Sequence, residues 1–136
     1  MLKEITLPAE IDSIPAITDF VNEILEGIDC SMKAETQIDI AIDELFSNIA
    51  YYAYRGGKGD ATVEVDADAE NATVSITFID SGSPYNPLEK DDPDVTLGAE
   101  ERGIGGLGIF IVKKSMNDVL YEYSEGKNRL TIIKSW

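Results

Sequence analysis

The residues with the clearest chemical potential form a glycine-rich segment in the C-terminal third of the chain. Glycine backbone can turn its amide hydrogens toward an anion without steric penalty, and the first turn of a helix adds N–H groups and the positive end of a dipole. The segment, which continues into an apolar, helix-capable stretch, therefore predicts a phosphate-binding loop, with Arg102 at its start to neutralise a terminal phosphate. The residues of this loop are Gly103, Gly105, Gly106, Leu107 and Gly108.

Other glycine-loop interpretations fit the chain less well. The glycines satisfy the G-x-G-x-x-G spacing of dinucleotide sites, but that fingerprint follows a buried strand. Here the preceding segment, 88–102, is acidic and contains Pro93 and Gly98, as expected of a loop. A Walker A loop is absent, because Gly57-Lys58 is followed by Gly59. A plain flexible loop at 103–108 is the remaining alternative.

A second candidate pair lies on a predicted helix. Glu44 and Asn48 are four residues apart, so their side chains project from one face of that helix. A carboxylate and an amide oxygen at this spacing can hold a hydrated Mg2+ and keep the carboxylate near a nucleophilic hydroxyl or water. Taken alone, such a pair is more often simply solvated.

A third candidate follows an apolar strand that ends at Ile79. Asp80, at the end of that strand, can accept the amino hydrogens of adenine, and Gly82 would let the base approach the backbone closely. Alone, the segment could equally be an ordinary turn.

Hydrophobic periodicity predicts the elements that position these residues. Apolar residues at helical spacing predict helices over 11–28, with Ser13 as the cap before Pro15, and over 33–54. Alternating patterns predict strands near 62–66, 73–78, 119–124 and 130–134, a turn at 125–128, and an edge strand at 2–7. The sheet has one apolar face, which predicts a two-layer α/β sandwich with helices on one face of a mixed, mostly antiparallel sheet.

Composition limits the class of protein. A length of 136 residues with 43% hydrophobic content predicts one domain, 1–136. No basic N-terminal region precedes an apolar block and no apolar run approaches about 18 residues, so we expect a soluble, cytoplasmic protein. The absence of histidine and the presence of only one cysteine, Cys30, exclude a histidine base or zinc site and an internal disulfide. We expect Cys30 only to pack.

The formal net charge of −15, from 11 basic and 26 acidic residues, argues against binding a nucleic-acid backbone. A polyphosphate bound to so acidic a chain requires a divalent cation, so the phosphate prediction carries Mg2+ with it. The same charge either favours a basic protein partner or serves only solubility.

The three ordered motifs resemble the ATP-binding superfamily shared by gyrase-type topoisomerases, histidine kinases and mismatch-repair ATPases. Within it, the chain resembles the anti-sigma-factor serine/threonine kinases over about residues 7–134. The resemblance lies in Asp80-x-Gly82-x-Pro84-Tyr85-Asn86-Pro87, Arg102-Gly103-x-Gly105-Gly106-Leu107-Gly108 and Met116-Asn117-Asp118-Val119.

That resemblance implies a Bergerat-type ATP-binding domain, often dimeric, that sequesters a sigma factor and phosphorylates a serine of an anti-sigma antagonist. It implies Glu44 as general base and Asn48 as Mg2+ ligand, with Glu44 reaching the metal through water. Asp80, with Gly82 beside it, would read adenine. Arg102 and the amides of 103–108 would hold the phosphates, and the acidic loop 88–101 would close over ATP as a lid.

The sequence leaves several alternatives open. A nucleotide-gated binding module of the same fold would bind ATP and a partner without phosphoryl transfer. A detached catalytic half of a histidine kinase is disfavoured, because no helix with a phosphoacceptor histidine precedes the domain. An interaction protein without nucleotide would leave the three motifs unexplained. Ile5, Leu7 and the first helix could form a homodimer surface or could close the core of a monomer.

Overall fold

The computed structural model describes residues 1–55, 57–89 and 107–136. Within these ranges, three α-helices cover a five-stranded sheet, and short 3-10 turns occur at Ile11–Ser13 and Pro87–Glu89. In chain order the elements are β1 (Leu2–Pro8), α1 (Ile14–Gly27), α2 (Met32–Tyr52), β2 (Asp60–Asp68), β3 (Thr73–Asp80), α3 (Leu107–Ser115), β4 (Asp118–Ser124) and β5 (Lys127–Ser135).

The strands lie in the order β1-β2-β3-β5-β4, and each neighbouring pair is antiparallel. The predicted two-layer sandwich is confirmed, although the described strands contain no parallel pair. β1 is an edge strand, as its weak alternation and terminal proline indicate. None of the helices in the described ranges is long and apolar enough to cross a membrane.

One face of the sheet and the inner faces of the helices form the core. Because side chains alternate along a strand, every second residue of β2 and β3 points toward α1 and α2. Burying each large side chain of this kind stabilises the fold by roughly 1.5–3 kcal/mol. Ile5 and Leu7 of β1 also pack against this core, as does the free cysteine, Cys30. Fully buried members include Ile17, Val21, Ile38, Ile42, Phe46, Val63, Val65, Val74, Ile76 and Phe78.

The opposite face of the sheet is polar and carries hydroxyl pairs between neighbouring strands and an ion pair between β2 and β5, which lie on either side of β3. The polar side chains of each pair bond to each other or to water, so no second layer of helices is needed on this face. The pairs are Thr6 with Thr62 (2.8 Å), Thr77 with Thr131 (2.9 Å) and Arg129 with Glu64 (3.4 Å).

The first residues of α1 and α2 are stabilised by different hydrogen bonds. Ser31 caps α2, since its hydroxyl oxygen accepts from the Ala34 N–H at 3.2 Å. Ser13 directly precedes α1, as predicted, but its side chain does not cap the helix. Its hydroxyl instead donates to the Pro8 carbonyl at 2.7 Å. Ser13 already has helical dihedrals (φ −80°, ψ −17°) because a 3-10 turn precedes the helix, whereas a capping side chain needs an extended residue.

The β4–β5 hairpin is tighter than predicted. Its two central residues, Glu125 and Gly126, have φ values of 56° and 78°, as a two-residue hairpin connection requires. The expected turn at 125–128 therefore ends early, and β5 begins at Lys127. As a result Asn128 is a strand residue, which places it beside Asp80 in the sheet.

Candidate functional site

A small pocket of about 50 Å³ opens between the C-terminal half of α2 and the adjoining ends of β3 and β5. Its walls are largely apolar, which is the kind of lining against which the face of a flat ring system can pack. The polar side chains that line it are Asn48, Asp80, Ser83 and Asn128, and its aromatic side chains are Tyr52, Tyr85 and Tyr121.

Asp80 is the buried carboxylate of this pocket, with 6% of its surface exposed. As the last residue of β3, it points to the same side of the sheet as Phe78. Its Oδ1 atom accepts hydrogen bonds from the Gly82 N–H at 2.9 Å and from Asn128 Nδ2 at 3.0 Å. A carboxylate held in this way is an acceptor and suits a ligand amino group such as that of adenine.

Gly82 packs closely against the end of α2. A β-carbon built on Gly82 would overlap the backbone of Ala53, just beyond the end of α2. The Ser83 N–H donates to the same Ala53 carbonyl at 3.1 Å, which locks the two segments together. Ala53 therefore makes a close approach to Gly82 that requires glycine, and Gly82 also acts on the pocket through its N–H bond to Asp80.

Tyr54 also holds the segment that follows β3. Its hydroxyl donates to the Asp60 carbonyl at 2.6 Å and accepts from the Ser81 N–H at 2.9 Å. A β-carbon on Gly59 would overlap the Tyr54 ring, so this glycine is required by the ring. The sequence alone did not reveal this contact.

The side chains of Glu44 and Asn48, both on α2, lie in two neighbouring parts of the site. Asn48 is part of the pocket wall that also contains Asp80. Glu44, one helical turn earlier, lies against Gly108 in the first turn of α3, where a β-carbon on the glycine would overlap the carboxyl group. A negative carboxylate is favourable at a helix N-terminus because of the helix dipole. The predicted base and the end of the predicted phosphate loop are thus in contact.

The phosphate loop is only partly described. Leu107 is the first residue of α3 and is exposed, and Gly108 follows it. Arg102, Gly103, Gly105 and Gly106 lie outside the described residues, as does the predicted lid apart from Leu88 and Glu89 in the turn at Pro87–Glu89. The predicted position of a helix directly after the glycines is confirmed.

Asn128 and Tyr121 are site residues that sequence reasoning missed. Asn128 is 6% exposed, and its Oδ1 accepts from the Tyr121 hydroxyl and from the Tyr85 N–H, the latter at 3.1 Å. Burial, with smaller contributions from the nearby carboxylates of Asp80 and Glu89, raises the pKa of Tyr121, so it donates as a neutral phenol. The position of Asn128 opposite Asp80 depends on the pairing of β3 with β5, which no local pattern reveals.

The residues present suit a Mg2+ ion shared with phosphates. Within residues 1–55, 57–89 and 107–136, no three carboxylate or cysteine side chains are grouped so that they could hold a metal ion by themselves. Mg2+ keeps several waters and typically uses one or two protein ligands together with substrate phosphates. Asn48 in the pocket wall, one turn from the Glu44 carboxylate, fits this kind of donor set.

Comparison with known proteins agrees with this geometry. Residues 7–134 match the family described as histidine kinase-like ATPase domain. The serine-protein kinase RsbW of Listeria monocytogenes serovar 1/2a is 32% identical over 101 residues, which cover 71% of this chain and 63% of the relative. The serine/threonine-protein kinase BtrW of Bordetella bronchiseptica is 24% identical over 102 residues, covering 75% and 71%.

A solved structure of RsbU and RsbW domains from a Mycobacterium tuberculosis protein has the same fold. It aligns with a TM-score of 0.68 at 18% identity and covers 99% of this chain and 32% of that one. The chain spans about 63% of the length of its Listeria relative. The chain belongs to the histidine kinase-like ATPase domain family, and its relatives include proteins named serine-protein kinase and serine/threonine-protein kinase.

Proposed function

We propose that this protein is a cytoplasmic, ATP-dependent serine/threonine kinase that regulates transcription. Its substrate would be a serine of an anti-sigma antagonist, and it would sequester a sigma factor when that antagonist is phosphorylated. The observation that carries the proposal is the contact of Glu44 with the first turn of α3, one helical turn from Asn48 in the pocket of Asp80. The kinase names of the relatives supply the reaction class.

Each residue has a role in the proposed reaction. ATP is the phosphoryl donor, and its adenine amino group would donate to Asp80. Bound Mg2+ would neutralise phosphate charge, held by Asn48 directly and by Glu44 through water. The N-terminus of α3 would hold the phosphates, together with Arg102 and the loop residues Gly103, Gly105, Gly106, Leu107 and Gly108.

Glu44 would act as the general base. Its carboxylate would accept the proton of the acceptor serine hydroxyl while the serine oxygen bonds to the γ-phosphorus, and the bond from the γ-phosphorus to ADP breaks. A module that only binds nucleotide would need the metal ligand Asn48 but no carboxylate at position 44. The presence of Glu44 against α3 therefore favours the kinase over the binding module.

The acidic chain makes a basic surface on the partner favourable. At a formal charge of −15, association with a basic face of a sigma factor or antagonist would be accelerated electrostatically and weakened by salt. Nucleic acid would be repelled by the same field.

The decisive experiment measures phosphate transfer and nucleotide affinity together. Purified protein is incubated with labelled ATP, Mg2+ and candidate antagonists, and ATP affinity is measured by calorimetry. We expect Glu44→Gln to reduce transfer by about 100-fold or more, in line with loss of a general base, while ATP affinity changes by less than about 3-fold. The matched control is Asp43→Asn, which removes an exposed carboxylate from the next position of α2.

The other outcomes separate the alternatives. ATP binding with no transfer by the wild type, together with partner capture that depends on ATP, would establish the nucleotide-gated binding module instead. A wild-type protein that gives neither heat nor thermal protection with ATP and Mg2+ overturns the proposal altogether.

A further inference from the structure

We propose that Asn128 and Tyr121 are positioning residues that set the purine specificity of the pocket. Through them, Asp80 is held so that it accepts only from an amino group at position 6 of the purine ring. The inference rests on the proposed nucleotide function, but neither residue belongs to the motifs that led to it.

The Asp80 carboxylate is bonded asymmetrically. Its bonds from Gly82 N (2.9 Å) and Asn128 Nδ2 (3.0 Å) both end on Oδ1. Oδ2 receives no hydrogen bond from the described part of the chain, although Asp80 lines the pocket. Oδ2 is therefore the oxygen left to accept from a ligand. Asn128 contributes to this by occupying Oδ1.

The Asn128 amide has one favourable orientation. Its Nδ2 also donates to the Ser83 carbonyl at 3.0 Å, and its Oδ1 accepts from Tyr121 and from the Tyr85 N–H. Rotating the amide by 180° would bring its oxygen against the carboxylate and the carbonyl, and its nitrogen against an N–H. The fixed backbone groups of residues 83 and 85 thus determine that position 128 presents a donor to Asp80.

The hydrogen bonds from Tyr121 through Asn128 to Asp80 all run in one direction. The Tyr121 hydroxyl donates to Asn128, which donates to Asp80, so each bond polarises the next toward the carboxylate. Tyr121 comes from β4 and Asn128 from β5, so the edge of the sheet supports a side chain of β3. A buried chain of this kind restricts Asp80 more tightly than the single Gly82 N–H could.

The consequence is discrimination between purines. Adenine presents an amino group at position 6, whereas guanine and hypoxanthine present a carbonyl oxygen that a carboxylate cannot accept from. A buried polar group that is left unpaired penalises the wrong ligand strongly. If Asp80 loses its Asn128 partner, it can turn within the pocket, and the penalty against the carbonyl should shrink.

The test compares the affinities for ATP and for inosine triphosphate, with Mg2+, in the wild type and in four variants at positions 121, 123 and 128. We expect the wild type to prefer ATP by about 100-fold, and the preference to fall to about 10-fold in Asn128→Leu. Tyr121→Phe should lower it by about 3-fold. Tyr123→Phe, an exposed tyrosine on the same strand, should leave it unchanged.

The ratio of the two affinities is the informative readout, because a general loosening of the pocket weakens both nucleotides alike. Asn128→Thr, whose hydroxyl can donate to Asp80 and whose branched side chain suits a strand, should recover part of the ratio. Thermal melting without nucleotide verifies folding. If Asn128→Leu does not fold, Tyr121→Phe and Asn128→Thr carry the test.

The outcomes are distinct from those of the proposed function. If ATP binds and the ratio is the same in the wild type, Asn128→Leu and Tyr121→Phe, the positioning role is overturned and the nucleotide site stands. A wild type that binds ATP and inosine triphosphate equally also overturns it. Only failure of the wild type to bind ATP would reject the proposed function itself.

Discussion

The carboxylate of Glu44 lies directly against the α-carbon of Gly108, so α2 and the first turn of α3 meet at a glycine that has no room for a side chain. The contact places a negative group at the positive end of a helix. It also places the proposed base at the end of the segment proposed to bind phosphate.

Gly108→Ala should separate stability from activity. Alanine favours a helix over glycine by about 1 kcal/mol, and the overlapping group is the flexible end of the Glu44 side chain, so we expect an unchanged or slightly higher melting temperature. Displacing Glu44 should nevertheless reduce phosphate transfer by about 10- to 100-fold. Thermal melting and the labelled-ATP assay measure the two effects, and transfer at the wild-type rate would show that the contact has no role in the reaction.

Gly82→Ala, in contrast, should reduce the stability of the fold. The added β-carbon would overlap the backbone of Ala53, which cannot move without shifting the end of α2. We expect a loss of about 1–3 kcal/mol in the free energy of unfolding, measured by urea denaturation. Gly27→Ala is the control, because a β-carbon there meets nothing within 4 Å, and equal effects of the two substitutions would refute the packing role of Gly82.

Asp80→Asn tests the purine acceptor. If the new amide keeps its oxygen toward the Gly82 N–H and Asn128, its nitrogen faces the adenine amino group, so two donors oppose each other. We expect ATP affinity to fall about 10- to 100-fold by calorimetry. Asp66→Asn, an exposed position on β2, should have no effect, and unchanged affinity in Asp80→Asn would remove the adenine assignment.

A pair of carboxylates between α1 and α2 should make stability depend on pH. Burial raises the pKa of Asp39 despite a hydrogen bond from Asn22, and burial together with neighbouring carboxylates raises the pKa of Glu35. With its amide nitrogen turned toward them, Asn22 donates to Asp39 at 2.8 Å and to Glu35 at 3.2 Å. Because the folded pKa values lie above the unfolded ones, this contribution to stability is full below about pH 4 and is lost as the pH rises through the folded values.

Asp39→Asn should therefore raise the free energy of unfolding at pH 7 by up to about 1 kcal/mol, and the gain should vanish near pH 3.5. Urea denaturation at pH 3.5, 5 and 7 measures it. Asp19→Asn, on the exposed side of α1, provides the control. A gain that is constant across this range would contradict the raised pKa of Asp39.

The elements of the fold were largely predictable because their signals are local. The 3.6-residue spacing of buried positions such as Ile38, Ile42 and Phe46 marks α2, and the alternation of Val74, Ile76 and Phe78 marks β3. The wrong bonding of Ser13 and the early end of the hairpin turn depend on backbone dihedrals, which residue type alone does not determine.

Site residues were predictable where a single segment of the chain contains them. They were not predictable where two distant segments must come into contact. Asp80 and the Glu44/Asn48 spacing are visible in the sequence, and the structure brings Asp80 and Asn48 into one pocket. Asn128 reaches Asp80 only because β3 pairs with β5, a contact between residues 48 positions apart. Likewise, the overlap of Gly82 with Ala53 depends on how α2 ends against the loop after β3.

The pairing of Asp80 with Asn128 continues the same two rows of side chains as Phe78 with Leu130 and Ile76 with Ile132. A slip of one residue would place Lys127 or Arg129 opposite Asp80 and turn the apolar row outward. The strand alignment that buries the apolar row is therefore the same alignment that places Asn128 opposite Asp80. A misaligned sheet would lose the Asp80–Asn128 hydrogen bond and its hydrophobic interior in the same event.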